Sequence, residues 1–589
     1  MATFLSKVDA FRQISARQLT NILDSIPGSK DLVIDASLIK PLERIVSVSV
    51  LKSHGVDKIF KFDVSTFASG NTQIVFMITS DLVSSKHVID QINGQIRLQE
   101  NVKLSFSLIL VPRKLDSILR LIEEEGIYEY VKVYSLSYGL IRLDKTLLSL
   151  EFPKMFQSIF VQNNQSFLPV IARSIWSMLL VFGTPCITIC LGRVAKQIDQ
   201  IVKEYLENLG KPDGKSQDIA YCLILDRDID YASALLTSGT YTSLLDEVFG
   251  IRSGSITVPD SKVTFSLSSQ DETFSQIKYR HFCDVSSHLS LKAKRLQEEY
   301  AKSQNMGLQE IKTYISQSLQ NVRNLKQSLG NHVAACEAVS RKIGSRFAKQ
   351  HEIEHNIIAN RDKRETLLFI ENQLALAEEE KAISLRLICL LSLAQDGLYA
   401  EEAKSLKTQF LQAYGYQYLS IFHNLEQIGL FTEQPSLMNV MSGGAESGTI
   451  ANRLTQVVSA RKNAFQSMTQ KLSLIPTLSE NFDLKNPTDM SYVFSGGYIP
   501  VACQIINLLW KKELSLDDLQ KVFPNSLIKN KDSFSLISPV HNKILVYFIG
   551  GVTYAEIAAF RFLETILNVQ ILVAATSIIN GSTLMEQCS

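Results

Sequence analysis

Between residue 31 and about residue 138, short apolar runs alternate with segments whose apolar residues step by three and four. The runs are DLVI, KIFKFD, QIVFMIT, KLSFSLILV and VKVYSLS. Between them, ASLIKPLERIVSVSVLKSHG, residues 80 to about 93, and KLDSILRLIEEEG carry the helical period. Strands this apolar leave no face for water, so the pattern predicts a parallel sheet covered on both sides by helices. A second alternation follows: a helix over about 167–182, the strand CITICL, a helix from 195 to about 208, and the strand YCLIL. The same texture returns only near the end of the chain, in DMSYVFSGGYIPVACQIINLLW, KILVYFIGG and VQILVAAT.

From about 253 to 480 the period is helical. Leu308, Ile311, Ile315, Leu319, Val322, Leu325 and Leu329 form one apolar stripe over about six turns, and further helices are expected over 382–394 and 400–429. The polar, glycine-containing segment MSGGAESGTIAN reads as a loop. The order implies α/β plus α: two parallel-sheet α/β domains with a large, mainly helical inserted domain. The boundaries are 1–142 for the first domain, 143–252 with 481–589 for a discontinuous second, and 253–480 for the insertion.

Composition narrows the class without naming a function. The 589 residues are 46% hydrophobic and 20% charged, which suits a multi-domain globular chain. A net charge of +1 gives no global field to draw in nucleic acid or an anionic membrane. Basic runs such as RDKR at 361–364 lack interleaved aromatics, so no nucleic-acid partner is expected. Eight scattered cysteines, most inside apolar runs, suit a reducing, cytoplasmic compartment. SIWSMLLVFGTPCITIC is uncharged, but Gly183 and Pro185 cut it into helix end, turn and strand, and VQILVAAT reads as a central strand. Membrane association is expected to be peripheral.

Three motifs could carry chemistry. LILDRDID ends a strand in D-x-D, the opening of phosphotransferases in which Asp226 would be the nucleophile and Asp228 a general acid and base beside magnesium. ILVAATS could supply that fold's hydroxyl, but no second acidic pair of the required form occurs, since Asp517 and Asp518 follow a helical texture. The alternative is that Asp230 caps the helix beginning YASALL while Asp226 and Arg227 satisfy loop backbone and each other. HEIEH at 351–355 matches the zinc-protease H-E-x-x-H, with Glu371 a conceivable third ligand; against it stand charged Glu354 at an inner position and solvated flanks. GGAESGTI has phosphate-loop glycine spacing without the lysine. Gly550 and Gly551 could open an anion site at a helix N-terminus or could reflect tight packing. No catalytic residue, metal or cofactor is assigned.

Taken together and in order, LDRDIDYASALLTSGTYTSLLDEVFGI (225–251), FSQIKYRHFCDVSSHL (274–289), GGYIP (496–500) and FIGGVTYAEIAAFRFL (548–563) resemble the signatures of the SM proteins, the Sec/Munc regulators of SNARE-driven membrane fusion. Ala234 departs from the pattern, which often has Pro there. The N-terminal half looks most like the vacuolar protein sorting class, thirty-three type, B branch. The resemblance implies an arch-shaped, non-enzymatic protein that binds SNARE bundles. It also implies a tethering complex with a solenoid-domain adaptor related to the vacuolar sorting class C core, with Rab GTPases as further candidate partners. Late endosome, recycling endosome and lysosome membranes are the implied sites of action. Lys407, Tyr416 and Leu419, in KSLKTQFLQAYGYQYL, fall at the positions matching that class's partner-docking surface. The residues alone allow Tyr416 and Leu419 to pack inside the insertion instead.

Overall fold

The computed structural model describes residues 4–63, 70–98, 104–212, 219–259, 263–304, 319–344, 346–376, 381–434, 464–477, 483–531, 537 and 541–589. Leu308, Ile311, Ile315 and the segments MSGGAESGTIAN and GGAESGTI lie outside these residues. The chain forms two compact units: Met1–Glu151 with Ser166–Thr184 and Gln197–Gln217, and Phe152–Gln165 with Pro185–Lys196 and Asp218–Ser589.

In the first unit the strands β1 (Lys30–Ile34), β2 (Val56–Lys61), β3 (Gln73–Thr79), β4 (Ser105–Val111) and β5 (Val131–Ser135) form a sheet in the order β2-β1-β3-β4-β5. Every pairing is parallel. Phe76, Phe106 and Leu108 on the inner strands meet Val88 and Ile92 of helix Leu82–Leu98 and Ile118 and Ile122 of helix Asp116–Glu124. The helices begin where polar caps allow: Asp35 accepts the Ser37 N–H at 2.9 Å and starts helix Ala36–Ile45. β6 (Ile141–Asp144) and β7 (Leu147–Ser149) pair as an antiparallel hairpin.

The second unit contains β8 (Ile187–Leu191), β9 (Ile219–Asp226), the antiparallel pair β10 (Ser255–Val258) and β11 (Val263–Ser266), then β12 (Ser526–Lys529), β13 (Lys543–Ile549) and β14 (Gln570–Ala575). Five of these run in the order β12-β8-β9-β13-β14, parallel except for the edge strand β12. Every residue of β9 is buried, as a strand with covered faces requires. Helix Leu168–Phe182 ends at Gly183, and β8 follows, so the uncharged stretch is divided where Gly183 and Pro185 divide it. Gln165–Phe182 is long and apolar enough to cross a membrane, but half of it is buried inside the protein.

The expected helix over 400–429 is two helices. Gly415, at φ +111°, ends Ala400–Tyr414, and a single turn, Tyr416–Tyr418, leads into Leu419–Gln427. That backbone conformation suits glycine and reverses the helix direction before Tyr416.

Candidate functional site

At the carboxyl end of β9 the four charged residues of the LDRDID loop take separate roles. Asp226 is 2% exposed, and its carboxylate accepts the N–H groups of Val194 (2.7 Å) and Ala195 (2.8 Å) in the first turn of helix Arg193–Asn208. It occupies the place at a helix N-terminus where a bound anion would otherwise sit. Gly192, at φ +110°, makes room: a Cβ there would lie 2.2 Å from Asp226 Oδ2. Burial, and then the negative charge of Asp228, push the Asp226 carboxyl up against the pull of its two N–H donors.

Arg227 does not satisfy Asp226, contrary to expectation. Its guanidinium forks onto Glu556, Nη1 to Oε2 at 2.8 Å and Nη2 to Oε1 at 2.9 Å, and also donates to the Asp230 carbonyl. Both side chains are buried. Glu556 closes a capping box with Thr553 at the start of helix Tyr554–Leu567, so one carboxylate serves both the helix and the arginine. Asp230 caps as expected and does more. It accepts the Ser233 N–H (3.0 Å), the Tyr498 hydroxyl (3.1 Å) and the Val501 N–H (3.0 Å) that opens helix Val501–Trp510.

This arrangement overturns the phosphatase alternative. The Asp226 oxygens are buried and engaged by backbone donors, while Asp228 is exposed, so the pair does not converge on a substrate position. Thr576, the hydroxyl that fold would need, accepts the Gly550 N–H at 3.0 Å. Packing accounts for both glycines after β13, since a Cβ would lie 2.7 Å from Phe160 at Gly550 and 2.6 Å from Ile579 at Gly551.

HEIEH lies on helix Arg346–Ile358 with its imidazoles turned inward. His355 Nε2 meets the Phe494 carbonyl at 2.9 Å, and His351 is buried against Phe347. Glu354 accepts the Thr237 N–H (2.8 Å) and hydroxyl (2.7 Å). Glu371 takes the Gln409 amide instead of joining them, and no group of three metal-ligating side chains occurs among the described residues. The flanking Ala348, Arg361, Asp362, Arg364 and Glu365 are exposed, as expected, whereas the inner charge serves a buried backbone N–H.

Among the docking candidates, Tyr416 is 68% and Leu419 53% exposed. Lys407 pairs with Glu426 at 3.3 Å and lies 5.4 Å from the Phe422 ring centre.

The profile of the Sec1 family matches residues 30–587. The chain belongs to the Sec1 family. Vacuolar protein sorting-associated protein 33B of Mus musculus is 32% identical over 602 residues, covering 98% of this chain and 96% of the relative. The 33A protein of Rattus norvegicus is 27% identical, covering 100% and 99%. The fold is shared with the Unc18–syntaxin 1 complex of Monosiga brevicollis (TM-score 0.60, 15% identity, 98% of each chain). It is shared too with SM protein Vps45 in complex with Qa SNARE Tlg2 (TM-score 0.61, 17% identity, 98% and 97%).

In this Sec1-family chain the four signature segments meet at one hub. LDRDID is joined to GGYIP through Asp230 and to the Gly550–Phe562 segment through Arg227. Backbone bonds Tyr241 to Arg280 (3.0 Å) and Phe282 to Gly239 (2.8 Å) tie in the fourth. Ala234 donates its N–H to the Tyr231 carbonyl at 3.0 Å, a bond that proline would forgo. Reading the sequence alone missed Arg386, buried in the run ISLRLICLL, which donates to the Leu235 carbonyl (3.0 and 2.9 Å) and pairs with Glu247 (2.5 Å). A single charge inside an apolar run was its signal.

The hub also carries a pH dependence. His281 is buried, with Nδ1 accepting the Cys283 N–H (3.4 Å) and Nε2 facing Ser495 Oγ (3.1 Å). Burial, helped by His351, pushes its pKa down to about 4. A histidine depressed in the folded state contributes stability that is full above its unfolded value near 6.5. That stability is lost as pH falls toward 4. Between those limits the loss should reach about 3 kcal/mol, and His281→Gln should flatten the slope. Urea midpoints of both proteins from neutral to acid pH test this; parallel slopes would defeat it.

Proposed function

We propose that this Sec1-family chain is a non-enzymatic regulator of SNARE-mediated docking and fusion in endosomal, lysosomal and vacuolar traffic. It acts in a tethering complex, joined to an adaptor with a helical solenoid domain. The observation that carries the non-enzymatic part is the engagement of Asp226, Glu556 and Asp230 in holding helix starts, which leaves the loop's acids braced inside the protein. The traffic part is supported by the 33B relative, named for vacuolar protein sorting, and the SNARE part by the fold shared with Vps45, which is solved on a Qa SNARE. Under this reading the chain divides at 142/143, with 253–480 inserted in a second domain. It sits peripherally on late endosome, recycling endosome and lysosome membranes through its partners, Rab GTPases among them.

The adaptor docks on Tyr416 and Leu419, two exposed apolar side chains presented by the turn after Gly415, with Lys407, paired to Glu426, on the preceding helix. Exposed aromatic and aliphatic anchors of this kind dominate protein interfaces. Tyr416→Asp should reduce adaptor recovery in affinity isolation about 30-fold, the equivalent of a 2 kcal/mol anchor, and leave thermal unfolding unchanged. Undiminished recovery from Tyr416→Asp with Leu419→Asp would remove this surface from consideration. SNARE binding is measured separately, by retention of an assembled SNARE bundle on the immobilised chain.

A further inference from the structure

Helix Gly581–Gln587 and the two residues after it join parts of the second unit that lie far apart in sequence. At its start, Asn580 closes a capping box with Thr583 and donates its side-chain amide to the Asp246 carbonyl (3.1 Å) and carboxylate (3.0 Å), on the signature helix Tyr241–Phe249. Ser582 donates to Glu247 at 2.9 Å, the carboxylate that Arg386 also holds. Gly581 lies directly on that arginine, where a Cβ would come within 2.3 Å of Nε.

The other end is tied as well. The Asn424 amide, on helix Leu419–Gln427, donates to the Cys588 carbonyl at 2.9 Å. Gln157 donates its backbone N–H to the Gln587 side chain (3.3 Å) and its amide to the Ser589 carbonyl (3.4 Å). The Cys588 side chain is fully buried, close enough to Cys389 to add to the upward shift that burial gives that thiol. A helix of seven residues gains too little from its own backbone to stand alone, so its order comes from these ties. Held at both ends by other elements, it acts as a short rod.

Helix Leu419–Gln427 rises from the turn Tyr416–Tyr418, so its direction sets where Tyr416 and Leu419 point. We propose that helix Gly581–Gln587 is a strut that braces helix Leu419–Gln427 against the signature helix Tyr241–Phe249, and that partner docking at Tyr416 and Leu419 requires the strut to be seated. The docking clause rests on the adaptor reading; the bracing clause does not.

Backbone hydrogen exchange of the purified full chain, followed by mass spectrometry, tests the brace directly. Asn424→Ala, at the near end, should speed exchange over 419–427 about fivefold, the effect of one lost hydrogen bond. Asn580→Ala, at the far end and about 12 Å away along the helix, should do the same, although its own bonds go to Asp246 and Thr583. Strands β9 and β13 should exchange as in the parent, which separates a released strut from general loosening. Unchanged exchange over 419–427 in Asn580→Ala, or an equal rise in both strands, would overturn the proposal. Adaptor recovery in affinity isolation should fall about fivefold with either variant, with Tyr416 and Leu419 intact. Full recovery by a variant whose 419–427 exchange has risen, where Tyr416→Asp lowers recovery, would overturn the docking requirement. Full recovery by Tyr416→Asp as well would strike the adaptor reading instead, and the exchange result would then decide the brace.

Discussion

Replacing Glu556 by alanine should cost about 3–5 kcal/mol in the unfolding of the second unit, the amount typical of leaving one partner of a buried ion pair uncompensated. Arg227 has little recourse if that carboxylate is lost. Its side chain is buried, its Nε has no hydrogen-bond partner among the described residues, and the Phe548 ring 5.7 Å away supplies only a weak cation–π contact. The remaining acceptors, the Gly551 and Asp230 carbonyls, are neutral. Glu556→Ala also opens the capping box at Thr553, worth about 1 kcal/mol by itself. Arg227→Met with Glu556→Leu should recover much of the loss, because removing both charges abolishes the desolvation cost that the pair otherwise offsets. Calorimetric melting of the two single variants and the double variant gives the coupling. Additive losses, or a single-variant loss below about 1 kcal/mol, would show that the pair does not hold the hub.

How much of this was legible in the chain depended on distance along it. β3, β4, β8, β9, β13 and β14 were readable because buried parallel strands are continuous apolar runs. The hairpins β6–β7 and β10–β11 and the edge strand β12 were not: each has three or four residues, the hairpins need no long apolar run to pair, and β12 pairs with β8, more than 300 positions earlier. For the site, the residue types were readable and their partners were not. Asp230 above Ser233 is a local cap and could be inferred. The partner of Arg227 lies 329 positions away and that of Asp226 more than 30, so proximity in sequence suggested that the two satisfy each other when the fold supplies each with something else. The partner of Glu354 was out of reach for the same reason. Read locally, Glu354 was a charge that spoiled a zinc helix, and in the structure it is the acceptor for Thr237, 117 positions earlier.

Asp226→Asn should lower stability by about 2–3 kcal/mol without altering any chemistry. The carboxylate presents two oxygens to two backbone donors; an amide presents one oxygen and an NH₂ group, which sets a donor against a donor in a buried place. It also withdraws negative charge from the N-terminus of helix Arg193–Asn208, where the aligned peptide dipoles favour an anion. Gly192→Ala should act on the same contact from the other side, because its Cβ would meet the carboxylate at 2.2 Å and the residue would have to hold φ +110°. Asp226→Ala separates this account from a general packing defect: it vacates the cradle and leaves both N–H groups bare, so added sulfate should stabilise that variant more than the parent. Equal responses to sulfate would mean that the helix start does not select for an anion. Adaptor recovery by Asp226→Asn should fall only in step with its folded fraction, since the residue lies inside the hub and not on the surface around Tyr416. A loss of partner binding at full folding would instead make Asp226 part of a binding surface, against its burial.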